Sequence, residues 1–259
     1  MLRRYAGPVS HAVLNPPYVR FTIPHVEGFL GYVLHGKTAV VLGDPIASDA
    51  NKPHFVEAFR KFCHQKGWRC IYAVTSERMG EYIEPHGGAL LQFAELLITN
   101  PAEKLYLKIK GNRLKGKSNT ARKGGVSVRE YLPELESDQG FESSAIEVIE
   151  RWQSARKGFQ LFLEVPRLFE HRVGCRWFIA EREGQLVGIL YLLKVGDFDC
   201  DYAIDLVFSS PSAPNFTNEL MILSAMDALG TEGVTRLSLA VGPSRSLGQI
   251  RGLGPLSTR

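Results

Sequence analysis

The apolar residues near the start of the chain follow two rhythms. Residues 29–34 and 37–42 are rich in aromatic and β-branched side chains and flank His35-Gly36, which predicts two strands joined by a tight turn. Gly43-Asp44-Pro45 breaks the second strand, and Pro53 stands where the first turn of a helix begins. Phe55, Val56, Phe59, Phe62 and Cys63 then recur at helical spacing until Gly67, after which residues 68–74 return to a strand pattern.

A second unit repeats this order. Its opening helix carries Ala145, Val148, Ile149 and Trp152 on one apolar face. Residues 176–180 and 185–195 flank the turn Glu183-Gly184, and residues 199–208 read as a third strand with Tyr202, Ile204 and Leu206 on one side. Together these strands predict an antiparallel meander. A loop through Pro211 and Asn215 follows, then a helix over residues 218–229 burying Ile222, Ala225, Met226 and Leu229, then Gly233 and a strand over 234–241. Both units run hairpin, Pro-containing loop, amphipathic helix, glycine, strand, which predicts a diverged internal duplication. The expected boundaries are 1–103, a bridging segment 104–130, and 131–259.

Composition narrows the class. A 259-residue chain with 44% hydrophobic content can bury a sizeable core. No apolar run is long enough to span a bilayer, and Met1-Leu-Arg-Arg-Tyr lacks the apolar core of a signal peptide, so a cytoplasmic protein is expected. Cys63, Cys70, Cys175 and Cys200 show no CxxC spacing and the histidines form no ligand pair, so neither a disulfide framework nor a metal site is expected.

Charge changes the picture more. The net charge is only +4, yet Lys104, Lys108, Lys110, Arg113, Lys115, Lys117, Arg122, Lys123 and Arg129 are uninterrupted by any acid. The rest of the chain is net acidic. A positive field confined to the bridge points to a polyanionic partner. Gly111, Asn112, Gly116, Ser118, Asn119, Gly124 and Gly125 interleave these cations, so backbone amides and side chains could both approach phosphates. A solvated loop and attraction to anionic lipid heads are the competing readings of the same run.

Four ordered motifs carry a resemblance: Val41-Leu42-Gly43-Asp44-Pro45; Lys115-Gly-Lys-Ser-Asn119-Thr-Ala-Arg-Lys-Gly-Gly125; Asp205-Leu206 followed by Pro211-Ser-Ala-Pro214-Asn215; and Leu237-Ser238-Leu239-Ala240. From Phe29 to Ser246 the chain resembles the C-terminal domain of bacterial phosphatidylglycerol lysyltransferases, the DUF2156 family. The resemblance implies an α/β (α+β) fold of two tandem acetyltransferase-like (GNAT) halves, with mixed, mostly antiparallel sheets and flanking helices. It also implies transfer of an amino acid from aminoacyl-tRNA, a co-substrate rather than a bound cofactor, to the hydroxyl of phosphatidylglycerol or a related lipid. Peripheral contact with the inner face of the membrane goes with such an acceptor. Where the family carries Gly after the Pro-Asn pair and Asp three residues later, this chain has Phe216 and Glu219.

An aminoacyl ester is already activated, so transfer needs a placed hydroxyl, an acceptor for its proton and donors for the developing oxyanion. Asp205, Asn215 and Glu219 are the candidates: either carboxylate as base or orienting group, and Asn215 as polarising donor. Each also has an ordinary role, at a strand end, in a turn and in the first turn of a helix. Arg113, Lys115, Lys117, Asn119, Arg122 and Lys123 are the candidate tRNA contacts, joined by Arg156 and Lys157 for the acceptor-end phosphates. Two other readings stay open: an acyl-CoA-dependent N-acyltransferase, and a non-catalytic protein that binds RNA or membranes.

Overall fold

The computed structural model of the protein describes residues 1–7, 9–14, 16–103, 113–136, 138–155, 168–170, 172–195, 201–243 and 250–251. Arg156 and Lys157 lie outside the described residues, as do Lys104, Lys108 and Lys110 of the basic run.

After a short helix α1 (Leu2–Tyr5), strands β1 (Val19–Ile23), β2 (Val26–His35), β3 (Thr38–Leu42) and β4 (Arg69–Ala73) form a sheet in that order. The first three are antiparallel, and β4 joins β3 in parallel by way of helix α2 (Lys52–Lys66). The helical spacing read from the sequence is what buries Phe55, Phe59 and Cys63 of α2 on Leu30, Tyr32, Ala39 and Val41. Gly67 ends α2 at φ 67°, a left-handed conformation that glycine adopts without strain. Asp44 sits in the bend that ends β3 and ties it to the segment after β4. Its carboxylate accepts the Ser76 backbone N–H at 2.8 Å and the Ser76 hydroxyl at 2.7 Å, and lies 3.8 Å from the buried Lys52 ammonium.

Helix α3 (Met79–Ile83) leads to β5 (Leu90–Leu91), which pairs with β12 (Ile250–Arg251) in a ribbon of its own. The second large sheet has the order β6 (Ala94–Thr99), β11 (Leu237–Pro243), β10 (Tyr202–Ser209), β9 (Gln185–Lys194), β8 (Cys175–Arg182), β7 (Val126–Tyr131). β7 to β10 make the expected meander. The sheets do not part at the expected residues 103 and 131. β6 precedes the basic segment in sequence yet pairs with β11, because β11 has a second edge whose backbone groups need partners, and β7 comes from the end of the expected bridge.

Helices α4 (Arg113–Lys123), α5 (Pro133–Glu136), α6 (Gln139–Ala155) and α7 (Thr217–Thr231) complete the described α-helices. α7 covers one face of the sheet over Phe178, Leu190, Leu192 and Leu237, while Ala145 and Ile149 of α6 share the other face with Trp177, Ile179, Ile189 and Phe208. A bulge corrects one expectation. Between Ile204 and Leu206 the β10 register slips by one residue against β9. Tyr202 and Ile204 therefore face α7, whereas Leu206 turns with Phe208 to the α6 side.

Arg176 holds β7, β8 and the end of α7 together. Its guanidinium donates to both oxygens of Glu130, at 2.7 and 2.8 Å, and to both of Glu232, each at 2.7 Å. Arg176→Ala is expected to cost about 2 kcal/mol, less than for a fully buried pair because Glu232 is half exposed. In a chain of this size that lowers Tm by roughly 4–8 °C. A calorimetric Tm within a degree of the parent would contradict it.

Candidate functional site

The basic run is a helix where it is described, and this alters what it can offer an anion. Within α4 most backbone N–H groups are committed to the helix, so side chains rather than amides face a ligand. Ser118 and Ala121 are fully buried toward α7, leaving Arg113, Lys115, Asn119, Arg122 and Lys123 exposed. The first turn of α4 contains no acid, and Arg113 and Lys115 crowd the positive end of the helix dipole. This arrangement opposes helix stability and suits an external polyanion.

Two glycines fix where α4 ends. At Gly124 a Cβ would sit 3.1 Å from the Pro214 side chain, and Gly125 adopts φ +85°. Both conditions favour glycine, and they seat the end of α4 on the loop between β10 and α7. That loop is closed by the Thr217 hydroxyl, which donates to the Pro214 carbonyl at 2.7 Å. Phe216 enters α7 from the left-handed region at φ 69°. Here Lys117 meets α7: its ammonium donates to Glu219 Oε1 at 3.0 Å and lies 5.1 Å from the centre of the Phe216 ring. Asn215 is exposed beside them.

The sheet has a notch at this end. β10 and β11 run parallel but pair only at Tyr202–Leu237 and Ala203–Ser238, where the Arg236 backbone N–H and guanidinium both donate to Asp201. Beyond that point the ladder stops, although β10 continues against β9 and β11 against β6. A bulge stands on each side, at Asp205 in β10 and at Leu239 in β11. Bulges re-aim side chains and end pairing.

Asp205 itself is exposed and belongs to the α6 side, away from Glu219. Its neighbours there are Tyr191 and Cys175, whose hydroxyl and thiol are joined at 3.0 Å. Burial pushes the Tyr191 hydroxyl well above the usual phenol range, and the Cys175 thiol and the Asp205 carboxylate push it further. Burial and the Asp205 charge also raise the Cys175 thiol. The three carboxylate and amide candidates therefore form two groups: Asn215 and Glu219 with Lys117 at the start of α7, and Asp205 with Tyr191 and Cys175 across the sheet. Sequence patterns hid the second group, because Tyr191 sits inside an uninterrupted apolar strand. Among the described residues no group of three or more His, Cys, Asp or Glu side chains is placed to hold a metal ion.

The model of the family described as phosphatidylglycerol lysyltransferase, C-terminal, matches residues 2–258. The chain belongs to this family. It is 27% identical over 244 residues to the lysylphosphatidylglycerol biosynthesis bifunctional protein LysX of Mycolicibacterium vanbaalenii, covering 90% of this chain and 21% of that protein. An MprF-like domain protein of Mycobacterium tuberculosis is 27% identical over 210 residues, covering 78% of this chain and 43% of that one. The chain thus spans only a minor part of these relatives. Among solved structures, the L-PGS of Bacillus licheniformis superposes with a TM-score of 0.78 at 17% identity, over 94% of this chain and 74% of that one. The DUF2156 domain from Agrobacterium fabrum gives 0.79 at 16% identity, over 94% and 77%. The family member therefore has the GNAT-like mixed α/β fold expected from its motifs. No helix among the described residues is long and apolar enough to cross a membrane.

Proposed function

We propose that this domain moves an amino acid, lysine by analogy with its named relatives, from aminoacyl-tRNA to a hydroxyl of phosphatidylglycerol or a related lipid. The observation that carries the reading is the Lys117–Glu219 contact, because it ties the basic helix to the first turn of α7, the helix that follows β10. RNA held along the exposed side of α4 would present its aminoacylated end where β10 passes into α7.

The chemistry is ester exchange. The lipid hydroxyl attacks the aminoacyl carbonyl, a new ester C–O bond forms, and the bond to the tRNA ribose breaks. A base takes the hydroxyl proton, and the ribose oxygen leaves with one. Glu219, already paired with Lys117, fits the orienting role. Asp205, exposed at a bulge beside the notch but on the other face of the sheet from Glu219 and Asn215, fits the base for a hydroxyl that reaches the carbonyl through the notch. Asn215 fits a donor to the carbonyl oxygen as charge develops there.

The test uses radiolabelled lysyl-tRNA with phosphatidylglycerol dispersed in detergent. Label should move into the organic phase only when protein, charged tRNA and lipid are all present. Label that stays on tRNA, despite tight binding of that tRNA, would leave an RNA-binding protein without this activity.

A further inference from the structure

Among the described residues, five exposed apolar side chains lie on or beside the ribbon β5–β12 and the edge strand β6. Leu91 and Ile250 are cross-strand partners, 55% and 52% exposed. The pairing one step along is polar on its outer strand: Arg251, opposite Leu90, reaches Glu77 and Glu84 at 3.4 and 3.5 Å. Phe93, 47% exposed, follows Leu91 at strand spacing. On β6, Leu96 packs inward with Val195 and Ala203, but Leu97 and Ile98 are 50% and 43% exposed. Adjacent residues of a strand point to opposite faces, so β6, the outer strand of its sheet among the described residues, is apolar on both sides. Soluble surfaces seldom keep such a stretch uncovered.

We infer that the edge strand β6, with Leu97 on one side and Ile98 on the other, inserts edge-on together with Leu91, Phe93 and Ile250 into the boundary between head groups and acyl chains of a lipid bilayer. The inference rests on the lipid acceptor proposed above. Two features favour a bilayer over a second copy of the chain. Pairing β6 with another β6 would satisfy its backbone but leave the Leu91–Ile250 pair, in a separate sheet, uncovered. The face is also continuous with the site. β6 pairs with β11, and the far edge of β11 borders the notch. At about 4.8 Å per strand, a head group at β6 is roughly 10 Å from the gap. Aromatic and large aliphatic side chains are the residues that settle at such an interface, and the cations of α4 would add attraction to anionic heads.

The experiment measures flotation of the full chain with vesicles of phosphatidylcholine containing one part in three phosphatidylglycerol, a ratio on the order of that giving a strong surface charge. Leu91→Ser with Phe93→Ser should reduce vesicle binding roughly thirtyfold, and Leu97→Ser with Ile98→Ser should do the same. Phe93→Trp should retain binding. Transfer to detergent-dispersed lipid and tRNA binding should stay at parental levels in all of them, which reports a sound fold. Unchanged flotation of both serine variants would overturn the inference. So would a parental dimer that these substitutions split while flotation holds. A parent that floats through this face but transfers no label would instead sink the proposed activity and leave the docking face standing.

Discussion

Exchanging Arg113, Lys115, Arg122 and Lys123 for glutamine is expected to weaken tRNA binding roughly a hundredfold or more near 0.1 M salt, and to lower the log–log salt slope by about 3–4. All four side chains are exposed on one helix, so each can neutralise a phosphate and release its counterion. Lys117 is left in place because it holds Glu219, and removing it would confuse binding with site geometry. Glutamine keeps the helix propensity of the residues it replaces. The exchange also removes Arg113 and Lys115 from the positive end of the dipole, so Tm should hold or rise slightly. A fall in Tm would mean that the cations serve α4 itself. Filter binding across a salt series gives the slope directly, and a slope equal to the parent's would sink the assignment of α4 to RNA.

Much of the fold was legible because burial imposes periodicity. The α2 residues at helical spacing, the hairpin at His35-Gly36 and the meander of the second sheet all leave that imprint. What escaped lacks it. β6 carries no alternation that names its partner, and the second edge of β11 decides where it goes. α4 reads as a loop because Gly116 and a run of like charges both disfavour a helix, and the packing of Ser118 and Ala121 on α7 overrides them. The bulge at Asp205 is invisible to any pattern, since it consists of one extra residue in a strand, yet it decides which face Asp205 and Leu206 join. The candidate site was therefore legible as a set of residue types and not as an arrangement. Lys117 and Glu219, 102 residues apart and of different roles by residue type, share a hydrogen bond in the fold.

Asp205→Asn is expected to lower transfer by roughly 10²–10⁴ with tRNA affinity unchanged, the range for loss of a placed general base. The amide has the same shape, so the bulge and its neighbours should persist, but it cannot take the hydroxyl proton. Glu219→Gln is expected to act differently. It removes the negative charge that pairs with Lys117 and leaves a weaker neutral acceptor beside the ammonium and the Phe216 ring, and so should disturb the donor end of the site rather than the proton transfer. Its loss should be smaller, about tenfold to a hundredfold, and should not add fully to that of Lys117→Met, because both changes remove the same ion pair. The two carboxylates can then be told apart by pH. Residual activity of Glu219→Gln should keep the parental acid limb of the rate profile, while that of Asp205→Asn should lose it. If Asp205→Asn keeps full activity and Glu219→Gln abolishes it, the base lies on the α7 side of the notch, and the roles assigned to the two carboxylates exchange.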